Sequence, residues 1–256
     1  MRKPNNNITA ISQTRGQSRL TRGQFRLLSF SLLIICLFVA GSVSAGMHVQ
    51  ASKSDHHSSQ PVLSSMLQGA MLAFVAEDYE QAFKRLLPLA QQDIVEAQYY
   101  LASLYDDGRG VEQNVALASH WYTRAAQQGH LSAQYNLGVA YANGHGVQKD
   151  MNSAVRWWRQ AARGGSINAQ FNLGIMYLHG NGIRQDPSEA VHWWKMAAEQ
   201  GDAVAQYNLG ALYANGEGVD RNVQLALTWW NRSARQGFAQ AIDVLREFDK
   251  THASTK

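Results

Sequence analysis

Apolar side chains between residues 97 and 237 follow a helical period that stops, turns and restarts at fixed intervals. Within residues 133–165, Ala133, Leu137 and Tyr141 recur at i, i+4 and i+8, the stripe of a helix buried along one face. A glycine pair, Gly144 and Gly146, interrupts it. A second stripe then runs through Ala154, Trp157, Trp158, Ala161 and Ala162 to Gly165. Sliding the sequence by 36 residues superposes Ala97, Ala133, Ala169 and Ala205, with Ala241 as an incomplete fifth start, and likewise Gly129, Gly165, Gly201 and Gly237. A fixed period of this length marks a repeat array, in which each unit buries its apolar face only by stacking on its neighbours. The pattern predicts an all-α fold of antiparallel helix pairs.

The boundaries inside the unit have local causes. Glycine recurs as Gly108/Gly110, Gly144/Gly146, Gly180/Gly182 and Gly216/Gly218, each pair just past the first helix, where a left-handed residue ends a helix most easily. These eight glycines are predicted as turn residues. Val111, Val147, Ile183 and Val219 follow and set an apolar side chain back onto the turn. A Gly-x-Gly that cradles phosphate needs a strand before it, and here a helix precedes. Asn114, Asp150, Asp186 and Asn222 then share one column and predict N-caps for the second helix. Asp186-Pro187-Ser188-Glu189 adds proline at the first helical position and glutamate at the third, a capping box.

All seven tryptophans fall in two adjacent columns of the second helix: Trp121, Trp157, Trp193 and Trp229 in one, and Trp158, Trp194 and Trp230 in the other, which Tyr122 completes. Adjacent positions on a helix point about 100° apart, so one ring packs within its hairpin and the other against the next hairpin. Burying one ring contributes at most roughly 4–6 kcal/mol, from about 150–250 Å² at 25 cal/mol/Å². The columns therefore read as core. The rival reading is an exposed ladder, Tyr122/Trp158/Trp194/Trp230, on which sugars stack. Alanine columns 118/154/190/226 and 126/162/198/234, with Gly138, Gly174 and Gly210 on the first helix, let helices approach closely.

Composition matters chiefly at the N-terminus. The formal net charge is +4, yet six of the 23 Lys and Arg precede Leu27 and no acidic residue precedes Asp55. Without residues 1–45 the chain has 17 basic and 19 acidic residues, so the repeats lack the basic surplus of a nucleic-acid binder. Residues 27–40 are an apolar run directly after Arg26, and Val43-Ser44-Ala45 supplies small residues for signal-peptidase cleavage between Ala45 and Gly46. The alternative is an uncleaved anchor, since residues 27–47 carry no charge and are long enough to span a bilayer, the basic leader remaining in the cytoplasm. Both readings place the repeats outside the cytoplasm, in the periplasm, with the membrane met only through this segment. The single cysteine, Cys36, lies in the apolar run.

Catalytic constellations do not emerge. There is no S-x-x-K, G-x-S-x-G, H-E-x-x-H or C-x-x-C, and of the repeat histidines only His120 and His192 share a column, two repeats apart, so they form no evident ligand set. Nothing in the residues calls for a metal or cofactor. Binding is better supported. Two polar columns of the first helix, Tyr100/Asn136/Asn172/Asn208 and Asp107/Asn143/His179/Asn215, lie seven residues apart and so share one face. Asparagine amides there can hydrogen-bond the backbone of a docked protein or peptide segment, or else are solvated and brace the turn.

The pattern A-x-x-x-L-G-x-x-Y-x-x-G-x-G-V, then D, then A-x-x-W and A-A-x-x-G, over residues 133–165, 169–201 and 205–237, resembles the Sel-1-like repeat family, a relative of the tetratricopeptide repeat. The copy beginning at Ala97 departs once, with Ala102 where glycine is usual. The resemblance implies a right-handed α-solenoid acting as a scaffold for protein complexes, here in a bacterial envelope. It also implies one alternative, a β-lactam-binding or hydrolysing relative, although the cysteines that tie that branch are missing from these repeats; the aromatic column Tyr122/Trp158/Trp194/Trp230 supplies another, a cell-wall-glycan binder. The chain divides into a signal peptide or anchor helix at 1–45, a flexible linker at 46–62 and an N-terminal capping helix pair at 63–93. Four repeats follow at 94–129, 130–165, 166–201 and 202–237, and a C-terminal capping helix and tail at 238–256.

Overall fold

A computed structural model describes residues 59–253, which form part of one compact unit, Ser58–Lys256. The described residues contain eleven α-helices and no strand. They are α1 (Ser59–Val75), α2 (Tyr79–Gln91), α3 (Val95–Asp107), α4 (Val115–Gln127), α5 (Leu131–Asn143), α6 (Met151–Arg163), α7 (Ile167–His179), α8 (Pro187–Glu199), α9 (Ala203–Asn215), α10 (Val223–Arg235) and α11 (Ala239–Ala253). The pairs α3–α4, α5–α6, α7–α8 and α9–α10 are the four repeats, and extensive packing joins helices consecutive in the chain. This is the near one-dimensional contact pattern of an α-solenoid. No helix among the described residues is long and apolar enough to cross a membrane. The predicted leader, cleavage site and anchor lie outside the described residues.

Helix α1 begins at Ser59, so the last four residues of the predicted linker 46–62 are helical. Pro61 stands in its first turn, where a helix has no use for the missing N–H, and the run from Val62 to Leu67 carries the helix onward. The Glu77-Asp78 link replaces the glycine turn. Glu77 takes the left-handed conformation (φ 61°) and Asp78 caps α2, accepting from the Gln81 N–H at 3.2 Å.

In each repeat the first helix ends at a left-handed glycine: Gly108, Gly144, Gly180 or Gly216. The second glycine of each pair is a turn residue as expected and has a further role. Gly110, Gly146, Gly182 and Gly218 are also left-handed (φ 68–73°) and stand in the same turn, three residues past the last helical residue. They are contact points between units. A Cβ on Gly110 would lie 2.2 Å from the Tyr79 carbonyl carbon, on Gly146 2.0 Å from the Val115 carbonyl oxygen, and on Gly218 2.3 Å from the Pro187 carbonyl carbon. On Gly182 it would meet the Met151 side chain at 2.3 Å. Tyr79, Val115, Met151 and Pro187 are the first residues of α2, α4, α6 and α8, so each turn rests on the start of the previous unit's second helix. Spacing alone shows where these glycines sit in their own unit, not what the neighbouring unit presses against them.

The second helix starts at Asn114, Asp150, Asp186 or Asn222, whose side chain accepts from a backbone N–H two or three residues on. The first helices carry caps the sequence pattern did not flag, with His130, Ser166 and Asp202 accepting from the Ala133, Ala169 and Ala205 N–H groups.

Two interlocking columns hold each hairpin together. Trp158, Trp194 and Trp230 are buried, and their rings lie over Gly138, Gly174 and Gly210, where a Cβ would come within 2.2–2.6 Å of an indole atom. Each indole N–H donates to a first-helix carbonyl: Trp158 to Tyr135 at 3.2 Å, Trp194 to Phe171 and Trp230 to Tyr207, both at 3.1 Å. The exception explains itself. Where Ala102 replaces the glycine, the smaller Tyr122 replaces the indole. The other column packs into the hairpin before it and not, as expected, against the next, because the helix turns that face back along the stack: Trp193 joins residues of α6 and α7, and Trp229 joins residues of α7, α8 and α9. Trp121, Trp193 and Trp229 are buried, but Trp157, predicted as core, is only half-buried against the first repeat. Column membership fixes the direction of a side chain, not how completely the facing helix covers it.

A buried glutamine ladder crosses the repeats. Gln98, Gln134, Gln170 and Gln206 each donate from Nε2 to the carbonyl of Ala90, Ala126, Ala162 or Ala198, near the end of the preceding helix. In three repeats a glutamine after the second helix donates back to the ladder's Oε1: Gln128 to Gln98 (2.9 Å), and Gln200 to Gln170 and Gln236 to Gln206 (both 2.8 Å). The fourth position is Gly164, and Gln134 Oε1 is left buried without a partner.

Candidate binding surface

The first helices keep one side open. On α3 it includes Glu96, Tyr99, Tyr100, Ser103, Asp106 and Asp107, all exposed or half-exposed at helical spacing. Both predicted polar columns fall on this side, as their spacing requires. Asp107, Asn143, His179 and Asn215 are exposed; Tyr100, Asn136 and Asn172 are half-buried. Asn208 differs. It is 4% exposed, because spacing sets the direction of a side chain and not its depth between flanking helices.

Two of the eight predicted positions are already engaged. Asp107 pairs with Arg109, whose guanidinium also donates to the Tyr79 hydroxyl at 3.1 Å. Asn136 bonds the Tyr122 hydroxyl, which burial pushes well above the ordinary tyrosine range, with Asp106 and Tyr99 adding to the rise. In the later repeats an indole occupies the position of that phenol and turns its N–H inward. No side-chain hydrogen bond joins Asn172 or Asn208 to another described residue. The half-buried Asn172 amide stays available, while that of Asn208 is largely covered.

An aromatic column missed in the sequence flanks the asparagines: Tyr99, Tyr135, Phe171 and Tyr207. Four rings at the 36-residue spacing, one position before the asparagines, were the available signal; the tryptophan columns masked it. Tyr99 stacks on His130 with centroids 4.3 Å apart, and Tyr207 meets Phe238 at 5.4 Å. Burial raises the Tyr99, Tyr100 and Tyr207 hydroxyls above their ordinary pKa, so they remain protonated donors at neutral pH. Burial acts the opposite way on the His130 imidazole and keeps it neutral, against the weaker pull of Glu96.

Charge is distributed unevenly between the two sides. Helices α5, α7 and α9 contain no Asp, Glu, Lys or Arg, and His179 is their only histidine. Helices α4, α6, α8 and α10 hold seven Lys and Arg against two Glu. Over three repeats the open side therefore offers amides, hydroxyls and apolar edges such as the half-exposed Val139, with no fixed charge on these helices. That suits a polypeptide backbone with uncharged side chains.

The sugar-stacking column does not reach this surface or any other. Tyr122, Trp158, Trp194 and Trp230 are all buried in the hairpins, so no ring face is free for a saccharide. The Gly-x-Gly pairs are likewise occupied: Gly108, Gly144, Gly180 and Gly216 with helix termination, and Gly110, Gly146, Gly182 and Gly218 with the contact to the previous unit. Among the described residues no group of three His, Cys, Asp or Glu is placed to hold a metal ion.

The Sel1 repeat family model matches residues 95–130, 131–166, 167–202 and 203–238, one residue offset from the frame drawn from the alanine and glycine columns. Among solved structures the chain is similar to a Sel1 repeat protein from Oxalobacter formigenes, with a TM-score of 0.68 and 34% identity over 74% of this chain and 56% of that one. It is also similar to c5321, a protective antigen present in uropathogenic Escherichia coli strains and displaying an SLR fold, with a TM-score of 0.67 and 29% identity over 72% of this chain and 40% of that one. The chain thus spans little more than half of the first and less than half of the second. Comparison with the curated proteins gives no match.

Proposed function

This chain belongs to the Sel1 repeat family, and from that premise we propose that it is a scaffold of the bacterial envelope whose first-helix side holds a protein or peptide partner. Sel1 repeat proteins generally mediate protein–protein interaction, and their solenoids are typically non-enzymatic. One observation carries the choice of surface. The amides of Asn172 and Asn208 sit on an uncharged face with no partner among the described residues. A largely covered amide without a partner gains a hydrogen bond when an extended backbone docks, and loses little hydration in exchange.

Location rests on the sequence: the basic leader, the apolar run and the small residues before Gly46 support export or anchoring, with the repeats outside the cytoplasm. A similar protein described as a protective antigen agrees with such a placement. Affinity capture from envelope extract tests the surface. A partner retained by the wild type is expected to be lost from Asn172→Ala/Asn208→Ala, with helicity by circular dichroism unchanged. Equal recovery by both would remove the asparagine face from the account. N-terminal sequencing of the cell-derived protein separates cleavage, beginning at Gly46, from retention, beginning at Met1.

A further inference from the structure

The two ends of the array differ chemically. At the C-terminal end α11 presents Asp243, Arg246, Glu247, Asp249 and Lys250, all exposed. Arg246 occupies the small-residue column on which an indole would lie in a further repeat, so the stack closes there. At the N-terminal end, residues 59–76 contain no charged residue at all. Large apolar side chains of α1 face outward: Val62 is 57% exposed, Met66 46%, Leu72 64% and Val75 53%. A terminal unit is normally polar on its outer face, and this one is not.

Every first helix inside the repeats lies between two second helices, whereas α1 packs extensively only on α2. Its outer stripe therefore has the form of a helix-packing face with the partner helix missing. Val62, Ser65, Gly69, Leu72 and Ala76 follow spacings of three, four, three and four, the seam of paired helices. Arg85, reaching from α2 to the Gly69 carbonyl at 3.2 Å, bounds it on one side. In the sequence between 46 and 58 the only large apolar side chains are Met47 and Val49.

We propose that α1 is a self-association surface through which two copies of this chain pair end to end. Among the described residues the one charge bordering this seam is the exposed Arg85, so pairing with a second copy desolvates less than seating α1 on α11, which would cover five ionic side chains. Like meeting like is isologous, so the assembly closes as a dimer and does not extend into a filament. A 17-residue helix is about 26 Å long and 10 Å across, so pairing buries on the order of 500 Å² from each copy. That is less than the ~800 Å² per partner of a standard interface, which makes the dimer weak and reversible.

Cysteine cross-linking in cells expressing the full chain tests this whether the leader is cleaved or retained. In a Cys36→Ser background, Leu72→Cys treated with a short bismaleimide is expected to give a covalent species at twice the monomer mass. Ile242→Cys, exposed at the other end, is expected to give none. Adding Val62→Glu to Leu72→Cys should lower the cross-linked fraction at least about tenfold, because an unpaired carboxylate in the seam opposes pairing. Helicity measured on each variant shows that the fold is retained. Absence of the double-mass species, or equal cross-linking from Ile242→Cys, overturns the proposal. So does linkage of Leu72→Cys to Cys36 within one chain when Cys36 is kept, since that shows the chain's own leader covering α1.

Discussion

The gap in the glutamine ladder makes a quantitative test of how the repeats are joined. Gly164 is the one position of its column that is not glutamine, and Gln134 Oε1 is the orphan it leaves. Gly164→Gln should supply the missing donor, since the backbone there (φ −78°) suits any residue and matches Gln236 (φ −89°). One obstacle is visible. A Cβ at 164 would lie 2.1 Å from Leu131 Cδ2. The other repeats carry Val95, Ile167 and Ala203 at the position of Leu131, so Gly164→Gln/Leu131→Ala copies the combination found in the fourth repeat. Satisfying a buried acceptor recovers about 1–3 kcal/mol, and removing a glycine adds about 0.4–1 kcal/mol through the unfolded chain. Side-chain ordering at the new glutamine opposes this, leaving a net gain of roughly 1–2 kcal/mol over Leu131→Ala alone. For a folded unit of this size that is a rise of about 2–8 °C in Tm. Calorimetry of the four members of a cycle with Gln134→Leu tests the cause. The gain should vanish in the Gln134→Leu background, and an equal gain there would show that the ladder is irrelevant to it.

Other expectations follow from single contacts. Gly146→Ala combines a left-handed backbone (φ 71°) with a clash against the Val115 carbonyl and should destabilise by about 2–4 kcal/mol in urea unfolding; a change below experimental error would contradict the close inter-repeat approach. Gly138→Ala overpacks against Trp158 and should cost about 1–3 kcal/mol, while Gly138→Ala/Trp158→Tyr, the pairing seen at Ala102 and Tyr122, should cost less than the two single changes together. His130 accepts the Ala133 N–H through Nδ1 and is held neutral by burial. The unfolded chain therefore takes up the proton first, and stability should fall as pH drops below about 6.5, the ordinary histidine value, until the folded-state pKa is passed. His130→Asp, the residue found at the matching position 202, should flatten that part of the pH profile of Tm, and an unchanged slope would assign it to other groups.

Much of the fold was legible because its determinants are local and repeated. A glycine past a helix end, an asparagine or aspartate before one, and alanine or indole at helical spacing each act within a few residues, and four copies make each column visible. Contacts between units were not legible in the same way. Gly110, Gly146, Gly182 and Gly218 read correctly as turn residues, but their contact with the preceding unit is seen only in the structure, and the Trp/Gly and Tyr/Ala exchange could be seen only once residue 102 stood beside 122. The glutamine ladder was hidden for a different reason. Glutamine is ordinarily a surface residue, and only the carbonyls of the preceding helix make its burial acceptable. On the candidate surface the sequence located the asparagine columns but could not separate Asn136, which meets Tyr122, from Asn172 and Asn208, which do not meet the indoles. That difference depends on which way a ring's polar edge turns. The apolar exterior of α1 was obscured because an apolar stretch reads as core until the missing neighbour is noticed.

The most direct test is to ask which side of the solenoid meets a partner in the cell. A photo-reactive benzoylphenylalanine placed at Asn143, exposed on the first-helix side, should form a covalent adduct with another protein, and the same residue at Gln160, exposed on a second helix, should not. Adducts from Gln160 alone, or equal adducts from both positions, would contradict the claim that the uncharged asparagine side is the working surface.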